Sequence, residues 1–162
     1  MREEALKDLI SAIFGAKKED CEYYPCHFEG QDCSLCFCPF YPCLYNAFGR
    51  LKDFKVWSCM ECSWIHRKEN VEKVVEYFSS IPLQKIAEMS WFELNRAFQI
   101  IVFGEEVWED LNGVYSLLKM NEGLGSELID VRIENYMIAE VRKVSGAEEA
   151  KNVLTLYDPG FE

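Results

Sequence analysis

Eight cysteines and two histidines are the residues of this chain with the clearest chemistry, and all ten fall between Cys21 and His66. That stretch reads CEYYPCHFEGQDCSLCFCPFYPCLYNAFGRLKDFKVWSCMECSWIH. Thiolate and imidazole are donors for borderline and soft divalent metals, and a tetrahedral ion needs several of them to converge. The spacing is C-x4-C-H-x5-C-x2-C-x-C-x4-C-x15-C-x2-C-x3-H. It contains two C-x2-C pairs, Cys33/Cys36 and Cys59/Cys62. In such a pair the backbone turns so that both sulfurs face one ion, and two pairs together make the four-thiolate arrangement of a zinc ribbon.

The candidate ligands are Cys21, Cys26, His27, Cys33, Cys36, Cys38, Cys43, Cys59, Cys62 and His66. Two tetrahedral ions use fewer donors than this, so a histidine stays outside the coordination shell or thiolates bridge. The first partition puts Cys33, Cys36, Cys59 and Cys62 on one ion. It puts Cys26, Cys38 and Cys43 on another, completed by Cys21, His27 or His66. An interleaved partition competes with it, because Cys36 and Cys38 face opposite sides of an extended chain. Zinc, two ions per chain, is the expected metal, and an iron–sulfur cluster is the alternative. The competing reading is free buried thiols or disulfides. Clustered cysteines in a chain whose MREEALKDLI start lacks a basic, apolar secretory leader favour metal over cystine. Tyr23, Tyr24, Phe28, Phe37, Phe40 and Tyr41 lie between the cysteines and are expected to shield the sulfur–metal bonds from water.

Three segments, CEYYPCH, CSLCFCPFYPC and CMECSWIH, resemble the cysteine-rich small domain family of archaea and bacteria, whose pattern is CEY-x-PCH, C-x2-C-x-CP and C-x2-C-x3-H. The resemblance covers residues 21–66. It implies a metal-binding module with ligands drawn from the same ten residues, and it implies no particular activity. Related chains carry the module beside corrinoid-salvage enzymes, notably an amidohydrolase acting on adenosylcobinamide.

Donors this dense need elements to hold them. Leu6, Leu9, Ile10, Ile13 and Phe14 repeat at helical spacing over residues 2–14, with Gly15 as a stop. Pro25, Pro39 and Pro42 make regular structure improbable early in the cysteine block, and a short helical turn is expected over 43–48. Val71, Val74, Val75 and Phe78 mark a helix over 69–78. Ser90 and Glu93 form a capping box opening a central helix that carries Leu94, Ala97, Phe98 and Ile101 and ends at Gly104. Val107, Trp108, Leu111, Val114, Tyr115 and Leu118 suggest a further helix over 105–120. From Val131 the period becomes two, which predicts a bent strand or a hairpin turning near Asn135, and Val153, Leu154 and Leu156 suggest a short strand. Asp158-Pro159-Gly160 reads as a turn. The expected fold is α+β: a mostly helical core, a small C-terminal β element and a loop-rich, metal-stabilised cysteine lobe. The expected division is 1–78 and 79–162, packed as one unit.

The 162 residues carry a net charge of −11, and 49% are hydrophobic. The acidic balance disfavours a nucleic-acid partner, and the basic residues of 50–73 amount only to a weak mixed patch. No apolar run approaches the ~20 residues that span a bilayer. The expected location is the cytoplasm, and the expected partner is a protein. The expected role is an accessory or interaction module whose metal is mainly structural. The alternative is a metal-dependent enzyme or subunit linked to corrinoid salvage, with Glu22, Glu29 or Glu61 as general base. No H-E-x-x-H, G-x-S-x-G or phosphate-cradling loop supports the alternative.

Overall fold

The structure is a computed structural model. It describes residues 2–45, 47–53, 55–104, 114–121, 125–144 and 153–154, with the backbone alone over 114–121, 125–130, 143–144 and 153–154. The expected first helix is α1 (Arg2–Ile13), which buries Ala5, Leu9 and Ala12 and carries Glu3 and Glu4 in its first turn, where the helix dipole favours acids. Gly15, at φ +81, stops it.

Residues 16–49 contain no helix or strand among those described. No helix lies over 43–48 among the described residues, but one turn closes there: the Phe48 and Gly49 amides both donate to the Tyr45 carbonyl, at 2.9 and 3.1 Å. Leu44 takes a left-handed backbone, φ +58, which turns the chain away from a helical path immediately after Cys43. Its side chain is wholly buried, and that burial holds the residue in an unfavourable conformation. A hairpin that the spacing did not announce follows, β1 (Arg50–Lys52) against β2 (Val56–Ser58), with Leu51 opposite Trp57. Gly49 leads into it because a Cβ there would lie 2.7 Å from the Ser58 carbonyl and the Trp57 indole.

After a 3-10 turn at Trp64–His66, α2 (Lys68–Ser79) buries Val71, Val74 and Phe78. The short α3 (Leu83–Glu88) follows Pro82 and buries Ile86. The capping box is realised in α4 (Trp91–Phe103): Ser90 Oγ accepts from the Glu93 amide, and the Glu93 carboxylate accepts from the Ser90 amide. Gly104, at φ +81, closes the helix.

The remaining described chain is sheet. Strands β3 (Val114–Asn121), β4 (Gly125–Glu134), β5 (Met137–Val144) and β6 (Val153–Leu154) lie in the order β5-β4-β3-β6. The hairpin expected near Asn135 turns through Asn135 and Tyr136, both at positive φ as a tight two-residue turn requires. The helix expected over 105–120 is corrected for its second half: 114–121 pairs antiparallel with β4, from Val114 opposite Arg132 to Asn121 opposite Gly125. Cross-strand pairing overrides an ambiguous apolar pattern there. Residues 105–113, Leu156 and the turn at 158–160 lie outside the described residues.

The fold is therefore α+β. A single core joins the cysteine loop (Leu35, Phe40, Leu44), β2 (Trp57), the helices (Leu9, Val74, Phe78, Ile86, Leu94, Phe98) and β4 (Val131, Ile133). Phe40 sits between Phe78 and Phe98, with ring centroids 6.1 and 5.5 Å away. The loop is thus anchored in the helical core by an aromatic side chain that lies among its cysteines. Among the described residues no helix is long and apolar enough to cross a membrane.

Candidate metal centre

Both C-x2-C pairs make the expected turn. The Cys36 amide donates to the Cys33 carbonyl at 3.2 Å, and the Cys62 amide donates to the Cys59 carbonyl at 3.0 Å. Cys36, Cys59 and Cys62 line one cavity. Burial is the first cause that raises Cys33, Cys36, Cys38, Cys43, Cys59 and Cys62, and for all of these but Cys62 the charge of particular neighbouring thiols adds to it. Cys33 is raised by Cys21 and Cys26, and Cys36 by Cys21, Cys26 and Cys33. Cys38 is raised well above the usual thiol range by burial, then by Cys43, Cys62 and Cys59. Cys43 is pushed up to about 12 by burial, with Cys62 and Cys59 adding to it. Burial and then Cys62 raise Cys59. By these neighbours Cys21, Cys26, Cys33 and Cys36 form an outer set and Cys38, Cys43, Cys59 and Cys62 an inner set, a grouping in chain order that differs from the first partition, which joined Cys33 and Cys36 to Cys59 and Cys62. The chain crosses from one set to the other between Cys36 and Cys38.

The inner set is held by backbone. Backbone amides of Phe40, Tyr45, Trp64 and Ile65 lie near the Cys38, Cys43 and Cys62 sulfurs and favour their thiolates against the burial that opposes them. Tyr41 Oη donates to the Trp57 carbonyl at 2.9 Å and ties the Cys38–Cys43 loop to the strand that leads to Cys59. From the other side, α4 grips the loop. Trp91 Nε1 donates to the Pro42 carbonyl at 3.2 Å, and Asn95 Nδ2 approaches the Cys43 carbonyl at 3.5 Å. The Trp57 indole N–H finds no ordinary hydrogen bond, yet it lies close enough to Cys43 to favour that thiolate.

The histidines join the outer set. His66 is buried, and its Nδ1–H donates to the Asp32 carbonyl at 2.9 Å while the Asp32 amide donates to the His66 carbonyl at 2.8 Å. That reciprocal pair brings the end of the cysteine block back onto its beginning. It also settles the tautomer, leaving Nε2 with a free lone pair, the usual arrangement for a ligand histidine. Burial lowers the His66 pKa, and His27 lowers it further, so the ring is neutral. The two imidazoles lie 4.4 Å apart, His27 Nδ1 is 3.1 Å from the Cys26 sulfur, and His27 Nε2 is buried without a partner. Ligand atoms of Cys26, His27 and His66 all fall within 4.8 Å of one another, the one such group among the described residues. The inner thiols stand wider apart, around a cavity of about 130 Å³ that His27, His66 and Cys36 also line. Phe40, Phe48, Trp57, Trp64 and Phe98 complete its wall, so part of the expected aromatic shielding is present, supplied mainly by rings outside the cysteine motifs.

Gln31 carries no spacing signal and emerges only here. It is buried, and its Oε1 accepts from the His27 and Phe28 amides at 2.8 and 3.2 Å. Those two backbone donors settle which end of the amide is which. Its Nε2 then donates to the sulfurs of Cys26 and Cys33 at 3.2 and 3.1 Å. The donor chemistry fits a metal: thiols crowded and buried enough to resist ionisation need a cation to become thiolates, and a buried imidazole nitrogen has no protein partner. Glu22, Glu29 and Glu61 are exposed and none lines the cavity; Glu61 pairs with Arg50.

Known proteins resemble this chain over part of its length. One curated relative is an uncharacterized protein of Methanocaldococcus jannaschii, 43% identical over 80 residues, which are 47% of this chain and 66% of that protein. Another, from Methanothermobacter thermautotrophicus, bears the name "Probable cobalt-factor III C(17)-methyltransferase" and is 55% identical over 58 residues, 35% of this chain. The match spans only 16% of that protein's length. No solved structure matches. The family model of the cysteine-rich small domain matches residues 12–88, from the end of α1 to the end of α3. Those residues, with every candidate ligand among them, are a cysteine-rich small domain.

Proposed function

We propose that the domain binds two zinc ions whose main role is structural, and that the protein acts as an accessory module for a protein partner. The inner ion takes Cys38, Cys43, Cys59 and Cys62, and the outer ion takes donors from Cys21, Cys26, Cys33, Cys36, His27 and His66. The observation that carries this reading is the convergence of Cys26, His27 and His66 to within 4.8 Å, beside a cavity lined by Cys38, Cys43, Cys59 and Cys62. Four thiolates close a tetrahedral site and leave no position for a reactive water. Drawing four thiols onto one ion also ties the loop, the β1–β2 hairpin and the 3-10 turn together. In small zinc peptides such binding supplies ~10–16 kcal/mol of apparent folding free energy. Elemental analysis of protein purified without oxidants tests the reading directly. Two zincs per chain support it. Cystines, or thiols open to alkylation in the freshly purified protein, refute it.

A second reading draws on the Methanothermobacter relative, in which a stretch like residues of this domain belongs to a protein named for cobalt-factor III methylation. On that reading the partner is an enzyme of cobalt-factor chemistry. Titrating the zinc-loaded protein with a cobalt corrinoid and following the corrinoid absorbance tests for direct contact. An unchanged spectrum removes the direct-binding form of this reading.

A further inference from the structure

The two groups of donors differ in number, exposure and support, and the difference points to different tasks. The inner group has four donors for four positions. Its Cys43 is buried, and Phe48, Trp64 and Phe98 stand over the cavity that it lines. The outer group has six donors where a tetrahedral ion takes four. Cys26 and Cys36 are exposed and Cys21 is half-buried, while Cys33 and His66 are buried, so the outer group reaches from the surface to the cavity it shares with the inner one.

Within the outer group, Cys26, His27 and His66 already converge to within 4.8 Å. His66 presents Nε2 because Asp32 holds Nδ1–H, and His27 keeps a buried nitrogen without a partner. Three gathered donors bind an ion and leave a fourth position that Cys33, Cys36 or Cys21 can fill in turn. Gln31 spans Cys26 and Cys33 through one amide nitrogen, so it keeps its hydrogen bond to Cys26 while Cys33 enters or leaves the fourth position. Surplus donors of this kind permit stepwise exchange: an incoming ligand enters before the outgoing one has left, and the ion never passes through a bare intermediate.

We propose that the outer group is an exchangeable site for a borderline divalent cation of the zinc or cobalt(II) class, held by Cys26, His27 and His66 with one of the neighbouring thiols, and that the inner ion stays in place while the outer one is lost and regained. This rests on the reading that both groups bind metal.

The test is the release of zinc from the two-zinc protein to an excess of a chromophoric chelator. Two phases of equal amplitude are expected, and His66→Ala should weaken the ion of the fast phase at least about tenfold while leaving the slow phase unchanged. Cadmium-113 NMR of the cadmium-loaded protein supplies a second readout. Two resonances are expected, and only one should shift in His66→Ala or His27→Ala. The melting curve and thiol count of each variant show whether it has kept its fold and inner ion. A single phase for both ions, or histidine variants that alter the slow phase or both resonances, overturns the exchange proposal and leaves the two-site reading standing. A wild-type protein that holds one ion or none overturns the two-site reading itself.

Discussion

At the scale of single residues, the decisive groups are those that set the charge on sulfur. Gln31 directs an amide N–H at two thiols and cannot turn round without facing its carbonyl's two backbone donors with an NH2 group. Replacing it by leucine removes both N–H···S bonds from Cys26 and Cys33. The expected result is a loss of about 10–100-fold in affinity for the outer ion, read by competition against a chelator, with the inner ion unaffected. Proton release gives a second prediction. Burial raises Cys38, Cys43, Cys59 and Cys62 above the ordinary value of 9.0, with neighbouring thiols adding to it for the first three, so all four hold their protons at neutral pH. An ion that takes all four as thiolates must expel about four protons. Affinity therefore falls steeply as the pH drops, and an indicator dye in weak buffer should report that stoichiometry for the inner site. Release of one proton or none would mean that the quartet does not ligate.

At the scale of elements, α4 is the support on which the inner thiols rest. Ser90 begins it, Trp91 and Asn95 hold the Pro42–Cys43 segment, and Phe98 is buried against Phe40, Phe48 and Trp64. Ser90→Ala removes the cap and should lower stability by about 1 kcal/mol in denaturant melts without changing the zinc count. Phe98→Ala empties a fully buried aromatic site and should cost about 3–5 kcal/mol. The hairpin makes a different demand. A methyl group on Gly49 would collide with backbone and with the Trp57 ring, so Gly49→Ala should displace Trp57 from beside Cys43. Its expected signature is altered tryptophan fluorescence together with weaker inner-ion binding. Unchanged fluorescence would show that the hairpin gives way elsewhere.

At the scale of the whole molecule, the cysteine loop and the core are one structure, because Phe40 and Leu44 belong to both. A strong chelator is therefore expected to lower the melting temperature of the full chain and to abolish the near-ultraviolet dichroism of Trp57 and Trp64, which line the cavity. Melting and spectra that survive complete metal removal would end the structural role. What could be read in advance, and what could not, divides along the range of the interactions. The two C-x2-C turns, the capping box at Ser90, the stops at Gly15 and Gly104 and the turn near Asn135 each depend on a few consecutive residues, and each is present. The helix expected across 114–120 failed because its apolar residues suit a strand equally well, and β4 supplies the pairing that decides between the two. The donors, their types and their confinement to one segment are properties of the sequence itself, as is the need for a cation that so many thiols create. Which thiols meet was decided only in three dimensions. Spacing along a chain carries no direction, and it is the clamp between Asp32 and His66, the tie from Tyr41 to Trp57 and the grip of α4 on Cys43 that bring Cys38 and Cys43 toward Cys59 and Cys62 and return His66 to the start of the block.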